Sequence, residues 1–427
     1  MPLPRATEYS RGYLRYALGL LVVVYTFNFI DRQILVILQE SIKKEMGLSD
    51  GQLGLLSGFT FAVFYVTLGV PISRIADRGV RRNVIAWSIG VWSVMTALAG
   101  LVRSFPQLLL VRIGVGVGEA GGSPPAHAMI SDYFPPRERG RALSTYSLGV
   151  YLGILFGFVA GGWLNQFFGW RTAFMVVGLP GLAVALLVRF TIREPQRGQS
   201  DPGRPVTEAP PFREAVATLW RLRSFRYLAL ATGFTTFVTY ATGNFGPSFL
   251  ARIHHLKSGE IGTILGLVGG IGGMIGTYLG GYLGDRFGAR DTRWYLRIPA
   301  ICLAIALPLR IVAYAVDDLR VAAPLLGLTE LLTLTYLGPA VAMAHAMVPP
   351  AMRAFASAIL FLVLNLIGLG LGPVFTGLVS DSLTTRMGPD GLRWAMVITC
   401  LSWIPAVALY LLATRTLRQD TAAVVAA

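Results

Sequence analysis

Six ionisable side chains lie inside long apolar runs: Asp31 and Arg32 in the first run, Arg112 and Glu119 in the fourth, Arg310 in the ninth and Glu330 in the tenth. A charge at the centre of a bilayer costs about 2.5–3.5 kcal/mol on insertion scales, so each of these groups needs a partner or a task. Arg112 and Glu119 are seven residues apart. On a helix that spacing puts them within roughly 20° of one face and about 10 Å apart along the axis. Asn28 and Arg32 share a face of the first run, with Asp31 three residues on from Asn28. The set has the chemistry of a carrier. Arg32 and Arg112 suit an anionic group, because guanidinium clamps carboxylate or phosphate bidentately. Asp31, paired across the bundle with Arg112, would exchange a proton when the pair parts. Asn28, Arg32, Arg112, Glu119 and Glu330 are therefore the expected substrate-binding residues, and Asp31, Arg112 and Glu119 the expected proton-coupling set. The competing reading makes Arg112 and Glu119 a structural network and Asp31-Arg32 an interfacial anchor. The apolar residues Ile34 to Leu38 that follow weigh against an anchor. Arg310 is expected to snorkel its charge to the membrane surface.

The elements that hold these residues follow from composition. Of 427 residues, 54% are hydrophobic and 14% charged. Soluble domains carry roughly 25% charged residues, so this chain has too few to coat a soluble globule. The mean hydropathy is +0.60. Twelve apolar runs are expected, near 13–39, 52–76, 83–103, 106–131, 141–166 and 170–190, then 227–250, 259–284, 294–316, 320–347, 352–379 and 393–414. Each is long enough for a membrane helix, which needs about 20 residues. The first run has no small-residue cleavage site after it and reads as a retained helix. The expected fold is all-α: two pseudo-symmetric six-helix bundles, residues 1–190 and 226–427. A proline- and arginine-rich linker at 191–225 joins them, with a short amphipathic helix near Phe212 to Leu222.

The net charge of +15 does not indicate nucleic acid, because the basic residues sit in short clusters between apolar runs. With the N-terminus inside, the cytoplasmic segments hold 25 of the 37 Lys and Arg and the outer loops 9. That asymmetry places both termini in the cytoplasm of a cell-membrane protein. Cys302, Cys400, His254, His255 and His345 are dispersed, so neither a metal nor a cofactor is expected. No phosphate-binding Gly-x-x-x-x-Gly-Lys-Ser/Thr loop occurs, which argues against ATP-driven transport. His127-x-x-x-x-Asp132 has acyltransferase spacing, but Asp132 belongs to the loop described next; an enzyme is not expected.

The halves repeat. Ser73-Arg-Ile-Ala-Asp77-Arg78-Gly-Val-Arg81-Arg82 follows the second run, and Gly281-Tyr-Leu-Gly-Asp285-Arg286-Phe-Gly288-Ala-Arg290 follows the eighth, the aspartates 208 residues apart. Pro135-Pro136 recurs as Pro349-Pro350 at an offset of 214. The loop resembles the signature of the major facilitator superfamily, with Ser73 and Val80 departing from its glycines in the first copy. The resemblance implies cytoplasmic gate loops built on Asp77, Arg78, Arg81, Asp285, Arg286 and Arg290. Each Asp would meet a helix N-terminus, where a carboxylate is favourable, and each Arg an acidic residue. A solvated basic turn that only sets topology is the alternative.

Gly114-Val-Gly-Val-Gly-Glu119-Ala, Pro124-Pro-Ala, Asp132-Tyr-Phe-Pro-Pro-x-x-Arg139-Gly-Arg-Ala and Asn28-Phe-Ile-Asp31-Arg32 resemble the Spinster branch of that superfamily. This implies a monomeric, proton-coupled carrier of an amphipathic anionic lipid, lysophospholipid or sphingosine-phosphate-like, working by alternating access from a cavity between the halves. In that branch the acid matching Asp31 is a proposed proton carrier. The alternative substrate is a small organic anion or a drug. Glycines at 149, 153, 157 and 161, and at 262, 266, 270, 272, 276 and 280, mark the fifth and eighth helices as sliding faces; static close packing would use the same glycines. Gly372-Pro373 is present in the eleventh run, but the fifth lacks the Gly-Pro of the antiporter motif.

Overall fold

The computed structural model describes residues 9–200, 212–349 and 352–425. Pro202, Pro205, Pro210 and Pro211 of the expected linker, and Pro350 of the repeated proline pair, lie outside the described residues. The described chain is helical throughout. Helix α1 is Arg11–Met46, α2 Asp50–Arg78, α3 Arg81–Ala99, α4 Phe105–Glu119 and α5 Ser123–Tyr133; α6 is Pro136–Thr191 and α7 Phe212–Arg221. Then come α8 Arg223–Ile253, α9 Ser258–Gly288, α10 Trp294–Ala315, α11 Leu319–Ala346, α12 Arg353–Met387, α13 Asp390–Cys400 and α14 Trp403–Val425. Among the described residues, eight helical runs are long and apolar enough to cross a membrane. The amphipathic linker helix is present as α7, with Ala215 and Leu219 buried and Trp220 exposed.

Local chemistry sets the ends. The Ser10 hydroxyl accepts from Tyr13 N–H at 3.2 Å at the start of α1. Gly47 closes α1 in the left-handed region at φ 66°, where glycine carries no Cβ penalty. Ser49 and Gln52 form a capping box at the start of α2. α1 runs on to Met46, past the expected end at 39, because Glu40 to Lys44 extend the helix into water beyond the apolar run. Gly169, at φ 80°, breaks α6 into two rods.

The chain forms two compact units. One comprises Met1–Gly47, Val63–Pro205 and Lys257–Gly266; the other Leu48–Ala62, Val206–Leu256 and Leu267–Ala427. The units thus cut across the sequence halves: the start of α2 belongs with the second half and the start of α9 with the first.

In the first unit α6 is the spine, with α1 along its first rod and α3 along its second. The approach of α1 is set by glycines. A Cβ at Gly149 would lie 2.9 Å from the Val22 carbonyl oxygen, at Gly153 2.6 Å from that of Thr26, and at Gly157 2.8 Å from Gln33 Cβ. The opening of α9 meets α6 through Gly162, Ser258, Gly262 and Gly266. All four glycines of the expected sliding stripe, Gly149, Gly153, Gly157 and Gly161, pack against α1, while Gly162, outside that stripe, faces α9. In the second unit Gly276 and Gly280 back against the Leu331 and Thr335 carbonyls of α11. Gly114 and Gly118 fit α4 against Met95 and Trp92 of α3, the close packing that small residues allow in membranes.

Gly153→Val should cost about 1–3 kcal/mol, the usual range for overpacking a dense contact. Gly243→Ala, where a Cβ meets nothing within 4 Å, should be neutral or stabilising. Thermal unfolding in detergent, followed by size-exclusion chromatography, distinguishes them; equal behaviour of the two would contradict the packing account.

Candidate functional site

Consecutive residues on α1 point to different neighbours, since each step turns the helix by about 100°. Asn28 and Asp31 face inward and are buried. Arg32 faces a partly open wall, its guanidinium 4.8 Å from the Phe29 ring centroid and 5.1 Å from that of Tyr65. Arg32 Nε donates to Glu119 Oε2 at 2.7 Å; the side chains are 16% and 0% exposed. Arg112, also buried, donates from Nη1 to the backbone oxygen of Asp31 at 3.4 Å. The Asp31 carboxyl oxygens are buried without a hydrogen-bond partner among the described residues. Thr96, Glu119 and Arg112 are their polar neighbours.

The sequence-predicted residues of the first half therefore come together, with the pairing changed. Glu119 takes Arg32, and Arg112 reaches the backbone oxygen of Asp31. Buried ion pairs of this kind are costly to break, at about 3–5 kcal/mol when one partner is removed, because the other charge is left uncompensated.

The second unit carries its own pair. Arg310 on α10 donates to Glu330 Oε2 on α11 at 2.9 Å, the side chains 5% and 19% exposed. The Arg310 guanidinium lies 5.8 Å from the Trp403 ring centroid and 3.5 Å from the Tyr314 hydroxyl. Snorkelling is thus overturned for Arg310: its side chain turns inward, where a carboxylate and an aromatic face receive it. The repeat could have signalled this. Glu330 follows Glu119 by 211 residues, between the offsets of the two loop landmarks.

The gate-loop residues are placed unequally. Arg81 bridges Asp132 at 2.5 Å and Glu194 at 2.7 Å and donates to the Pro195 carbonyl at 2.8 Å. Glu194 also accepts from Arg82 N–H, and Asp132 from Gly198 N–H, both at 2.9 Å. The first turns of the linker are thereby strapped to the loops after α2 and α5. Asp77, Arg78 and Arg290 are exposed. In the second copy Asp285 accepts from the Tyr295 hydroxyl at 2.7 Å in place of a helix N-terminus, and Arg286 donates to the Tyr282 hydroxyl at 3.1 Å. Nearby, Asp291 gathers Arg293, Arg297 and Arg418. The backbone N–H of Arg293, followed by that residue's guanidinium, holds its carboxyl below the usual range.

Sequence reasoning missed a cluster at the end away from the basic loops. Arg252 holds the Asp50 carboxylate through both nitrogens at 2.8 Å. Ser380 donates to Asp50 at 2.6 Å. Asp381 accepts from Asp50 N–H at 2.8 Å and Gly51 N–H at 2.7 Å, capping α2 from α12. The partners lie some 200 and 330 positions apart, so no local pattern in the sequence pointed to the cluster.

An all-helical chain with long apolar helices and ion pairs buried inside each unit is built as a multi-pass membrane carrier. The family model of the Major Facilitator Superfamily matches residues 21–333, and the chain belongs to that superfamily. It is a transporter and not an enzyme. It is 34% identical over 410 residues to an MFS-type efflux pump of Mycolicibacterium smegmatis (strain ATCC 700084 / mc(2)155), covering 95% of this chain and 93% of that protein. It is 31% identical over 248 residues to protein spinster homolog 1 of Xenopus tropicalis, 56% of this chain and 46% of that one. Among solved structures it matches a bacterial homologue of the human lysosomal transporter Spinster, in an inward-facing and unoccupied conformation. There the TM-score is 0.89 at 34% identity, with 96% of this chain and 99% of the other covered.

A double-mutant cycle tests the revised pairing. Arg32→Met and Glu119→Gln should each destabilise, and the double variant should lose at least about 1 kcal/mol less than their sum, as for contacting groups. Additive losses on thermal unfolding would separate Arg32 from Glu119.

Proposed function

We propose that the chain is a proton-coupled carrier of a single-chain anionic lipid, working by alternating access as a monomer in the cell membrane with both termini cytoplasmic. The observation that carries the reading is the buried Asp31 carboxyl, without a hydrogen-bond partner among the described residues, beside the Arg32–Glu119 pair and Arg112. An unpartnered buried carboxyl is most easily kept neutral, and a group that holds a proton only while its neighbours stay put is the element proton coupling needs.

In this mechanism an incoming phosphate competes for Arg32, the more exposed member of its pair. The Arg32–phosphate pair forms, the Arg32–Glu119 pair breaks, and Glu119 takes a proton from water or from Asp31. Asn28 and Arg112 hold the vacated carboxyls in place. Glu330, partly exposed beside Arg310, would meet the ammonium of a zwitterionic head group. Access from the outer side would require Arg252 and Asp381 to release Asp50. The gate loops would act at the opposite end, where Arg81, Asp132 and Glu194 form the lock. The 34% identity to an efflux pump across nearly the whole chain supports a second reading, export of a small organic anion or drug.

Asp31→Asn should leave a folded protein whose uptake in proteoliposomes no longer responds to an imposed pH gradient; an unchanged response would remove Asp31 as the coupling acid. For the substrate, thermal stabilisation in nanodiscs should be measured with lysophospholipids, sphingosine phosphate, sugar phosphates and dicarboxylates at matched concentrations. A ligand that binds the native state raises its apparent stability according to affinity. Single-chain lipids should stabilise most. Binding and transport of dicarboxylates or sugar phosphates, with neither for the lipids, would replace the lipid reading with the organic-anion one.

A further inference from the structure

His127 lies on α5, eight residues past Glu119 toward the basic end. Between Glu119 and Asp132 it is the one titratable residue in the sequence. His127 is exposed to solvent. One edge rests on the Tyr146 ring in a T-shaped contact, centroids 5.2 Å apart. Tyr146 is itself buried and stacks on Tyr25 at 4.4 Å. Tyr25 meets Phe29 edge-on at 5.3 Å, and Phe29 and Tyr65 flank the Arg32 guanidinium. One continuous aromatic wall within the first unit therefore joins His127 to Arg32, with a cation at one end and an imidazole at the other.

The tyrosines fix the ring of His127 but do not use its free edge. The Ser123 hydroxyl is already engaged beside Tyr146, and among the described residues no carboxylate pairs with the imidazole. From this geometry we infer that His127 is an inner anion station: its free ring nitrogen donates a hydrogen bond to the substrate's anionic group on the basic-end side of Arg32, and the aromatic wall guides that group between the two. The inference rests on the reading that the substrate is anionic. It adds a specificity-determining contact that belongs to this chain's own residues.

The test uses full-length protein in proteoliposomes. The probes are lysophosphatidylglycerol, monoacylglycerol of the same chain length as its neutral counterpart, and succinate as a compact anion. His127→Phe, which keeps a ring against Tyr146 but has no donor, should raise KM for the transported anion about tenfold, the value of one charge-assisted hydrogen bond, with kcat within twofold. His127→Arg should bring KM back to the wild-type value or below, and binding of monoacylglycerol should be the same in all three proteins. If wild type transports either anion and His127→Phe keeps its KM, the station is wrong and the anionic-substrate reading stands. Equal losses for anionic and neutral probes, with a lowered unfolding temperature, would make His127 a structural residue and also overturn the station. If wild type neither binds nor transports either anion, the station falls together with the reading beneath it.

Discussion

The Arg32–Glu119 pair is the interaction on which the first unit depends. Two full charges cannot enter a low-dielectric bundle singly, so α1 and α4 must meet at one depth and one rotation. That requirement explains why α1 is held so closely to α6. With side chains at 149, 153 and 157 the helices would stand further apart, and Arg32 would be carried away from Glu119. Glycine packing on one side of α1 and charge pairing on the other are two halves of one constraint. The same helix turn that delivers Arg32 to Glu119 leaves the Asp31 carboxyl facing Thr96 and Arg112 without a fixed partner.

The outer cluster solves a different problem. Asp50 opens α2, where a helix has free N–H groups, and Asp381 supplies the acceptors from α12. Asp50 is then free to give its own carboxylate to Arg252 and Ser380. Below the cluster, backbones touch: a Cβ at Gly377 would lie 2.7 Å from the Asp50 carbonyl carbon. Polar contacts at the tip and bare backbone beneath it make a joint with few interlocking side chains. Such a joint holds by a small number of directional bonds and has little to disentangle when they break.

The sequence revealed what is local or repeated. Apolar run lengths located the helices, and the recurrence of Asp77 as Asp285 disclosed the duplication. The spacing of Arg112 and Glu119 placed both on one face. The pairing of charges was not legible in the same way, because it depends on helix rotation. Asp31 and Arg32 are adjacent in sequence but about 100° apart around the axis, and only the fold decides which of them meets α4. Arg310 was misread for a related reason: its position near the end of an apolar run is equally compatible with a side chain that reaches out or turns in. The Asp50–Arg252–Asp381 cluster had no local signature at all. Its members look like ordinary loop charges until three distant helix ends are brought together.

The two halves share a plan but not a chemistry. Glu119 and Glu330 are repeat-related, yet their arginines come from different helices: Arg32 from the first helix of its half, Arg310 from the third of the other. At the offset of 211 that relates the two glutamates, Asp31 and Arg32 fall on Thr242 and Gly243, neither of which carries charge. The second unit therefore balances one carboxylate with one guanidinium. The first holds two of each and leaves one carboxyl unsatisfied. Glu330 accepts directly from the Arg310 guanidinium, whereas the Asp31 carboxyl oxygens have no hydrogen-bond partner among the described residues. Duplication supplied the scaffold, and loss of symmetry at two adjacent positions on one helix separates a structural ion pair from a site with a group to spare.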